Sequence, residues 1–252
     1  MKSFTLLPFA CACVIVAGAF CPRANASVLF EDDFQSDTVG AQPVIGAGDV
    51  GGAWTITDST ADSTGVLVAN AGGSQYAAIK RVDYTHDGTL WAGGYSTAAT
   101  TNRDVTLNFS INKSSTESAF TIVSGFADTA QTGRSFSLYF WSSGAVWAYD
   151  EGTGQFTTST VTLPTDSWQD VAVDVNTATR KYSLTVGGAT DNSLGWTNAV
   201  NSVPMVFFGH GGDSGNVLVD NVQLSSVPEP SACVLLLSAA TGLLAYAWRK
   251  RR

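Results

Sequence analysis

Residues 27–226 predict an all-β fold of two packed sheets, and three observations carry that prediction. Short runs of Val, Ile, Phe, Tyr and Trp recur roughly every ten residues, punctuated by Gly, Ser, Thr, Asn and Asp. Within several runs apolar and polar residues alternate, as a half-buried strand requires. No stretch of this span holds a long apolar period of 3.6 residues. About a dozen strands without helices pack as two antiparallel sheets, a jelly-roll sandwich.

Val28, Leu29 and Phe30 open the span and are expected beside the closing strand. Residues 105–111 alternate strictly, apolar at Val105, Leu107, Phe109 and Ile111. Residues 136–141 and 146–149 flank Ser142, Ser143, Gly144 and Ala145, a hairpin turn by composition. Period two along this hairpin lets Tyr139, Trp141, Trp147 and Tyr149 line one face together. From Val171 on, residues 168–175 alternate, and 182–186 end at Gly187 and Gly188. Residues 203–208 and 217–224 close the domain, with Pro204 marking an edge or a strand start. The span contains no internal repeat and no second domain.

The two ends read differently. Lys2, an apolar run over 4–20 and the small residues Ala24 and Ala26 make residues 1–26 a secretory signal peptide, so the mature chain begins at Ser27. Phe20 before Cys21 is wrong for a lipoprotein signal. At the other end, Val227-Pro228-Glu229-Pro230 precede an uncharged run, residues 231–248. As a helix that run would reach about 27 Å, enough to cross a bilayer core of roughly 30 Å. Arg249, Lys250, Arg251 and Arg252 then stop transfer and hold the C-terminus in the cytoplasm. All four cysteines lie in these end segments, so the domain between them has no disulfide and no thiolate metal site.

The order of Val-Pro-Glu-Pro, apolar helix and basic end resembles the PEP-CTERM sorting signal of Gram-negative and related bacteria. Pro228, Glu229 and Pro230 match its motif, over about a tenth of the chain. The resemblance implies recognition by an exosortase after signal peptidase has acted. It also implies an inner-membrane-anchored precursor with its core outside the cytoplasm. The destination it implies is the cell surface or an extracellular matrix rich in exopolysaccharide and biofilm. Residues 30–34, 168–175, 182–188 and 219–222 resemble the concanavalin A-like, laminin-G-like fold, which implies a tendency to bind glycans and does not imply an enzyme.

Seven of the 13 basic residues and all acidic residues but Glu229 fall in 27–226, a net charge of −13. Such a field disfavours nucleic acid and anionic membranes. It fits solubility outside the cell or, more sharply, calcium. Glu31, Asp33 and Asp220 are the candidate calcium ligands, hard oxygen donors joining the opening segment to the closing strand; the alternative is a solvated acidic strand end. Alternation places Asp32 on the opposite face from its two neighbours. Gly212-Asp213-Ser214-Gly215 imitates a serine-protease motif, but His86 and His210 stand in the wrong contexts to serve it. Asp150 and Glu151 are adjacent, which turns two strand carboxylates apart, and no Glu-x-Asp-x-x-Glu run of the laminarinase type is present. No catalytic residue is therefore expected. Trp91, Tyr95 and Trp196, flanked by Gly or Asn in loops, are the expected glycan contacts. The expectation is an exported, non-catalytic glycan-binding or structural protein. The competing readings are a divergent polysaccharide hydrolase or lyase and a structural surface protein without ligand.

Overall fold

A computed structural model describes residues 26–44, 49–52, 54–58, 65–83, 86–92, 99–115, 120–127, 133–211 and 215–226, together with 246, 249 and 250. The signal segment before Ala26 and, apart from Tyr246, the apolar run over 231–248 lie outside the described residues. Among the described residues no helix is long and apolar enough to cross a membrane.

Ser27–Val227 form one compact unit. Its strands are β1 (Ser27–Asp32), β2 (Trp54–Asp58), β3 (Val66–Ala71), β4 (Ser74–Asp83), β5 (His86–Ala92), β6 (Asp104–Lys113), β7 (Phe120–Phe126) and β8 (Arg134–Trp141). They continue as β9 (Ala145–Asp150), β10 (Gln155–Thr162), β11 (Gln169–Asn176), β12 (Lys181–Val186), β13 (Ala189–Gly195), β14 (Met205–Gly211) and β15 (Gly215–Ser226). All pairings are antiparallel. One sheet runs β4-β15-β6-β11-β12-β13, with β3 on β4 and β1 on the far half of β15. The other runs β5-β14-β7-β8-β9-β10, with β2 on β5. These are called the first and the second sheet below; β4 and β5 join them. This is the jelly-roll sandwich that the sequence predicts.

The alternation explains the layers. Val105, Leu107, Phe109 and Ile111 of β6 and Val171, Val173 and Val175 of β11 turn inward and are buried. From the second sheet Phe136, Leu138 and Phe140 of β8 and Val206 and Phe208 of β14 meet them. Rings close the gap between sheets: Phe109 and Phe208 lie edge to face at 5.2 Å, and Phe136 and Tyr182 meet at a tilt at 5.8 Å. β1 sits beside β15 as expected, Ser27 opposite Ser226. The hairpin turn expected at 142–145 is present, β8 ending at Trp141 and β9 beginning at Ala145, with Gly144 at φ 81°, and β14 begins directly after Pro204. Asp191 of β13 spans the open side, accepting hydrogen bonds from Ser159 Oγ and Thr160 N of β10, both 2.8 Å. It thus fastens an outermost strand of one sheet to an outermost strand of the other.

Candidate functional site

The outward side of the second sheet is the candidate site. Four consecutive strands bring rings into register there. Phe120 of β7 pairs with Trp141 of β8, Tyr139 pairs with Trp147 of β9, and Tyr149 pairs with Phe156 of β10. Because each strand alternates, the inward partners Phe140, Val146 and Ala148 fill the core and leave these rings on the other face. Phe120 lies 5.3 Å from Tyr139 and 5.0 Å from Trp141. Trp141 lies 5.4 Å from Trp147, and Trp147 5.8 Å from Phe156. Phe156 in turn contacts Tyr149 at 4.8 Å and Tyr139 at 5.1 Å. Phe156 is 47% exposed, and the other five are half-buried. The result is a continuous field of six rings reachable from solvent. β14 widens it: Gly209 and Gly211 lie under the rings of Phe207 and Phe120, where a Cβ would overlap them. Flat rings of this kind stack on the apolar faces of sugars while their edges accept polar neighbours.

The sequence placed Tyr139, Trp141, Trp147 and Tyr149 on one face, and the structure joins them to Phe120 and Phe156. Those two were missed. Phe156 stands alone in a run of Thr and Ser, an exposed edge strand with one large apolar residue, and that isolation was its only signal. Of the three expected glycan contacts, Trp91 lies on β5 opposite Phe207, and its side chain is outside the described residues, as is Tyr95. Trp196 is corrected: it is 5% exposed, packs 6.2 Å from Tyr182 and donates from Nε1 to the Val200 carbonyl at 2.8 Å. Its neighbours in sequence are loop-like, yet the chain folds back over it.

The carboxylates at the end of this sheet are engaged in fastening loops. Asp150 accepts from the Thr197 backbone N–H at 3.0 Å and hydroxyl at 2.9 Å, from Gly152 N at 3.0 Å and from Thr153 Oγ1 at 3.1 Å. Burial would raise this carboxyl, but those bonds outweigh it and hold Asp150 below the usual carboxylate range. Glu151 Oε2 accepts from the Arg134 backbone N–H at 2.7 Å and from Asn198 Nδ2 at 3.3 Å. His210 is buried on the inward side of β14, and residues 212–214 lie outside the described residues. On the outward side of the first sheet a groove of about 390 Å³ is lined by Asn108, Ser110, Asp170, Thr185 and Asn221. Its polar groups largely satisfy one another, Ser110 Oγ donating to Asp170 Oδ1 at 2.8 Å.

The candidate calcium ligands are regrouped. Asp33 stands with Asp32 and Asp49, their carboxylate oxygens within 4.8 Å of one another, and its charge also acts on Asp220. Glu31 Oε1 accepts from Gln223 Nε2 across the β1–β15 ladder at 2.9 Å, and Asp220 caps the Asn221 backbone N–H. β1 ends at Asp32, so Asp33 lies past the strand and its alternation, and Phe34, at φ 58°, turns the chain just after it. Asp32 itself is 1% exposed and accepts from Phe34 N at 2.7 Å and from the Trp54 indole. Burial pushes its pKa up to about 7 against those two hydrogen bonds, and the charges of Asp49 and Asp37 add to the rise. Three convergent carboxylates suit a hard divalent cation with oxygen ligands.

A stability profile checks this. The folded Asp32 binds its proton more tightly than the unfolded chain does, so without cations the contribution of Asp32 to stability is greatest below about pH 4 and falls until about pH 7. Asp37 and Asp220, also raised by burial, act in the same direction. Calcium is expected to raise the melting temperature at pH 8 and to do little at pH 5, with the gain lost in Asp49→Asn. Equal melting curves with calcium and chelator at pH 8 would remove the cation from this corner.

Residues 226–252 match the family described as the PEP-CTERM protein-sorting motif. Of its residues, Ser226, Tyr246, Arg249 and Lys250 are described, the last three in helical conformation; Val227, Pro228, Glu229, Pro230, Arg251 and Arg252 lie outside the described residues. No curated protein matches the chain. Solved structures do. A sialidase superposes with TM-score 0.57 at 13% identity, over 81% of this chain and 19% of its own. A botulinum neurotoxin type C structure superposes with TM-score 0.55 at 11% identity, over 85% of this chain and 51% of its own. An endo-1,3-β-glucanase from Streptomyces sioyaensis gives 0.53 at 13% identity, over 83% and 99%. The chain spans about a fifth and a half of the first two. At these identities the likeness is one of fold. The class is therefore an all-β jelly-roll sandwich followed by a PEP-CTERM sorting segment. Such a segment implies an exported, membrane-anchored precursor processed by an exosortase.

Proposed function

We propose that this protein is a non-catalytic glycan-binding component of the cell surface or extracellular matrix, and that the six-ring face of the second sheet is its binding platform. The continuity of the rings carries the reading. Folding alone explains the inward aromatics, but it gains little from keeping Phe156 and its neighbours in reach of water. Two of the fold neighbours concern glycans in different ways: the neurotoxin structure concerns interaction with two ganglioside molecules, and the glucanase is an enzyme. In this chain the carboxylates beside the platform are committed to backbone N–H groups, which favours binding over hydrolysis.

The test is retention of the purified protein on the producing organism's exopolysaccharide, with reducing sugar assayed in parallel. Saturable retention without sugar release supports the proposal. Sugar release would make it an enzyme, and no retention would leave a structural surface protein. Sorting is checked separately: the intact mass of protein recovered from the surface is expected to lack residues 231–252, and retention of that segment in cells with an active exosortase would defeat the processing step.

A further inference from the structure

We infer that the platform takes a carboxylate-bearing polysaccharide, a polymer containing uronic acid, and that Arg134 is the group that meets its carboxylates. This rests on the glycan-binding reading above and adds the class of sugar. Arg134 begins β8, and strict alternation would send it inward with Phe136, Leu138 and Phe140. The register slips instead: Gly125 faces Phe136, while Phe126 faces Arg134, so Ser135 is an extra residue in β8. A bulge of this kind re-aims a side chain, and here it turns Arg134 onto the face of Tyr139. Its guanidinium lies 5.5 Å from the Phe126 ring centre and 5.9 Å from that of Tyr149, and Nη1 donates to Tyr139 Oη at 3.4 Å.

What this cation lacks is a counter-charge. Among the described residues no carboxylate pairs with it, and its buried Nε has no acceptor. Glu151 is close in space, but its Oε2 serves the Arg134 backbone N–H and the Asn198 amide. The outward residues around it on β7 to β10, among them Ile122, Ser124, Ser137 and Thr158, carry no charge. A single cation among rings, in a domain of net charge −13, is a local exception to the surrounding field. A guanidinium is a planar fork that matches a carboxylate through two parallel hydrogen bonds, and weak hydration lets it sit against aromatic faces. A neutral sugar offers the rings their stacking surface but leaves this fork unmatched. A uronate stacked on the platform supplies both.

The experiment uses the full-length purified protein and three probes: polygalacturonate, alginate and the organism's own exopolysaccharide, each before and after chemical reduction of its carboxyl groups. Binding is read by affinity electrophoresis and tryptophan fluorescence. The expected result is at least about tenfold tighter binding to an acidic polymer than to its reduced form. Arg134→Gln is expected to bring the acidic polymer down to the level of the reduced one, with Arg134→Lys intermediate. Equal binding of native and reduced polymers by the natural protein would overturn the acid selectivity and leave the glycan platform standing. An undiminished preference in Arg134→Gln would overturn the role of Arg134. Failure to bind any probe would overturn both this inference and the proposed function.

Discussion

Trp147→Ala is expected to weaken binding to the exopolysaccharide roughly 30-fold, as truncation of a central aromatic anchor does. Trp147 sits in the middle of the platform, in contact with Trp141 on one side and Phe156 on the other. Its removal would open a gap in the middle of the ring field and leave Trp141 joined to the other rings through Phe120 alone. The side chain is half-buried and stands outside the core, so the melting temperature should fall by only a few degrees. Phe156→Ala, at the exposed margin, is expected to lose less, and Trp196→Ala is expected to lose stability rather than affinity, because that indole is buried. Equilibrium binding with a thermal melt of each variant separates the cases. Affinity unchanged in Trp147→Ala would move the binding surface elsewhere.

Asp191→Ala should be among the most damaging substitutions to stability at a polar position. Asp191 is 3% exposed and accepts from Ser159 Oγ, Thr160 N, Ser193 N and Ser193 Oγ. Burial works against its charge, yet the hydrogen bonds from Ser193, Thr160 and Ser159 overcome that and hold the carboxyl well below the usual range. Alanine leaves these donors unmatched, at about 3 kcal/mol in total, or roughly 6–12 °C in melting temperature. Asn keeps one acceptor and should lose about half as much. The sign with pH is opposite to that of Asp32. The stabilisation is present above about pH 4 and is lost as pH falls toward the lowered folded value, so natural and variant melting curves should converge in acid. A constant gap across pH 2 to 7 would mean that packing, not the carboxylate, holds this edge.

Much of the fold was readable in the residues themselves. Strands with strict alternation, such as 105–111 and 171–175, announced both their conformation and their buried face, because a one-residue slip would expose every Val and Leu in them. β10 was silent: Gln155–Thr162 forms an outer strand, and its residues are mostly polar because so few of them meet the core. The platform was half legible. The hairpin of β8 and β9 is local, so period two was enough to align four rings. Phe120 and Phe156 join through neighbouring strands, and nothing short of the pairing register says that they arrive. Arg134 was invisible as a platform residue, since a bulge reverses the face that alternation assigns. The acidic corner failed because β1 stops at Asp32: Asp33 lies past the strand end, where the period on which the ligand assignment relied no longer holds.

The placement of β15 has a mechanical consequence. β6 flanks it along most of its length, while β4 holds its first half and β1 its second. Its last residue, Ser226, is the first residue of the sorting-motif match and is tied to Ser27 through their hydroxyls at 2.7 Å. Tension entering at Ser226 therefore runs along an interior strand. The ladders on both flanks carry it together in shear, instead of opening rung by rung like a hairpin peeled from its tip. A domain whose rings grip a polymer under flow, and whose other attachment lies beyond Ser226, would pass the drag through a dozen interstrand bonds at once, about as many as the residues of the strand.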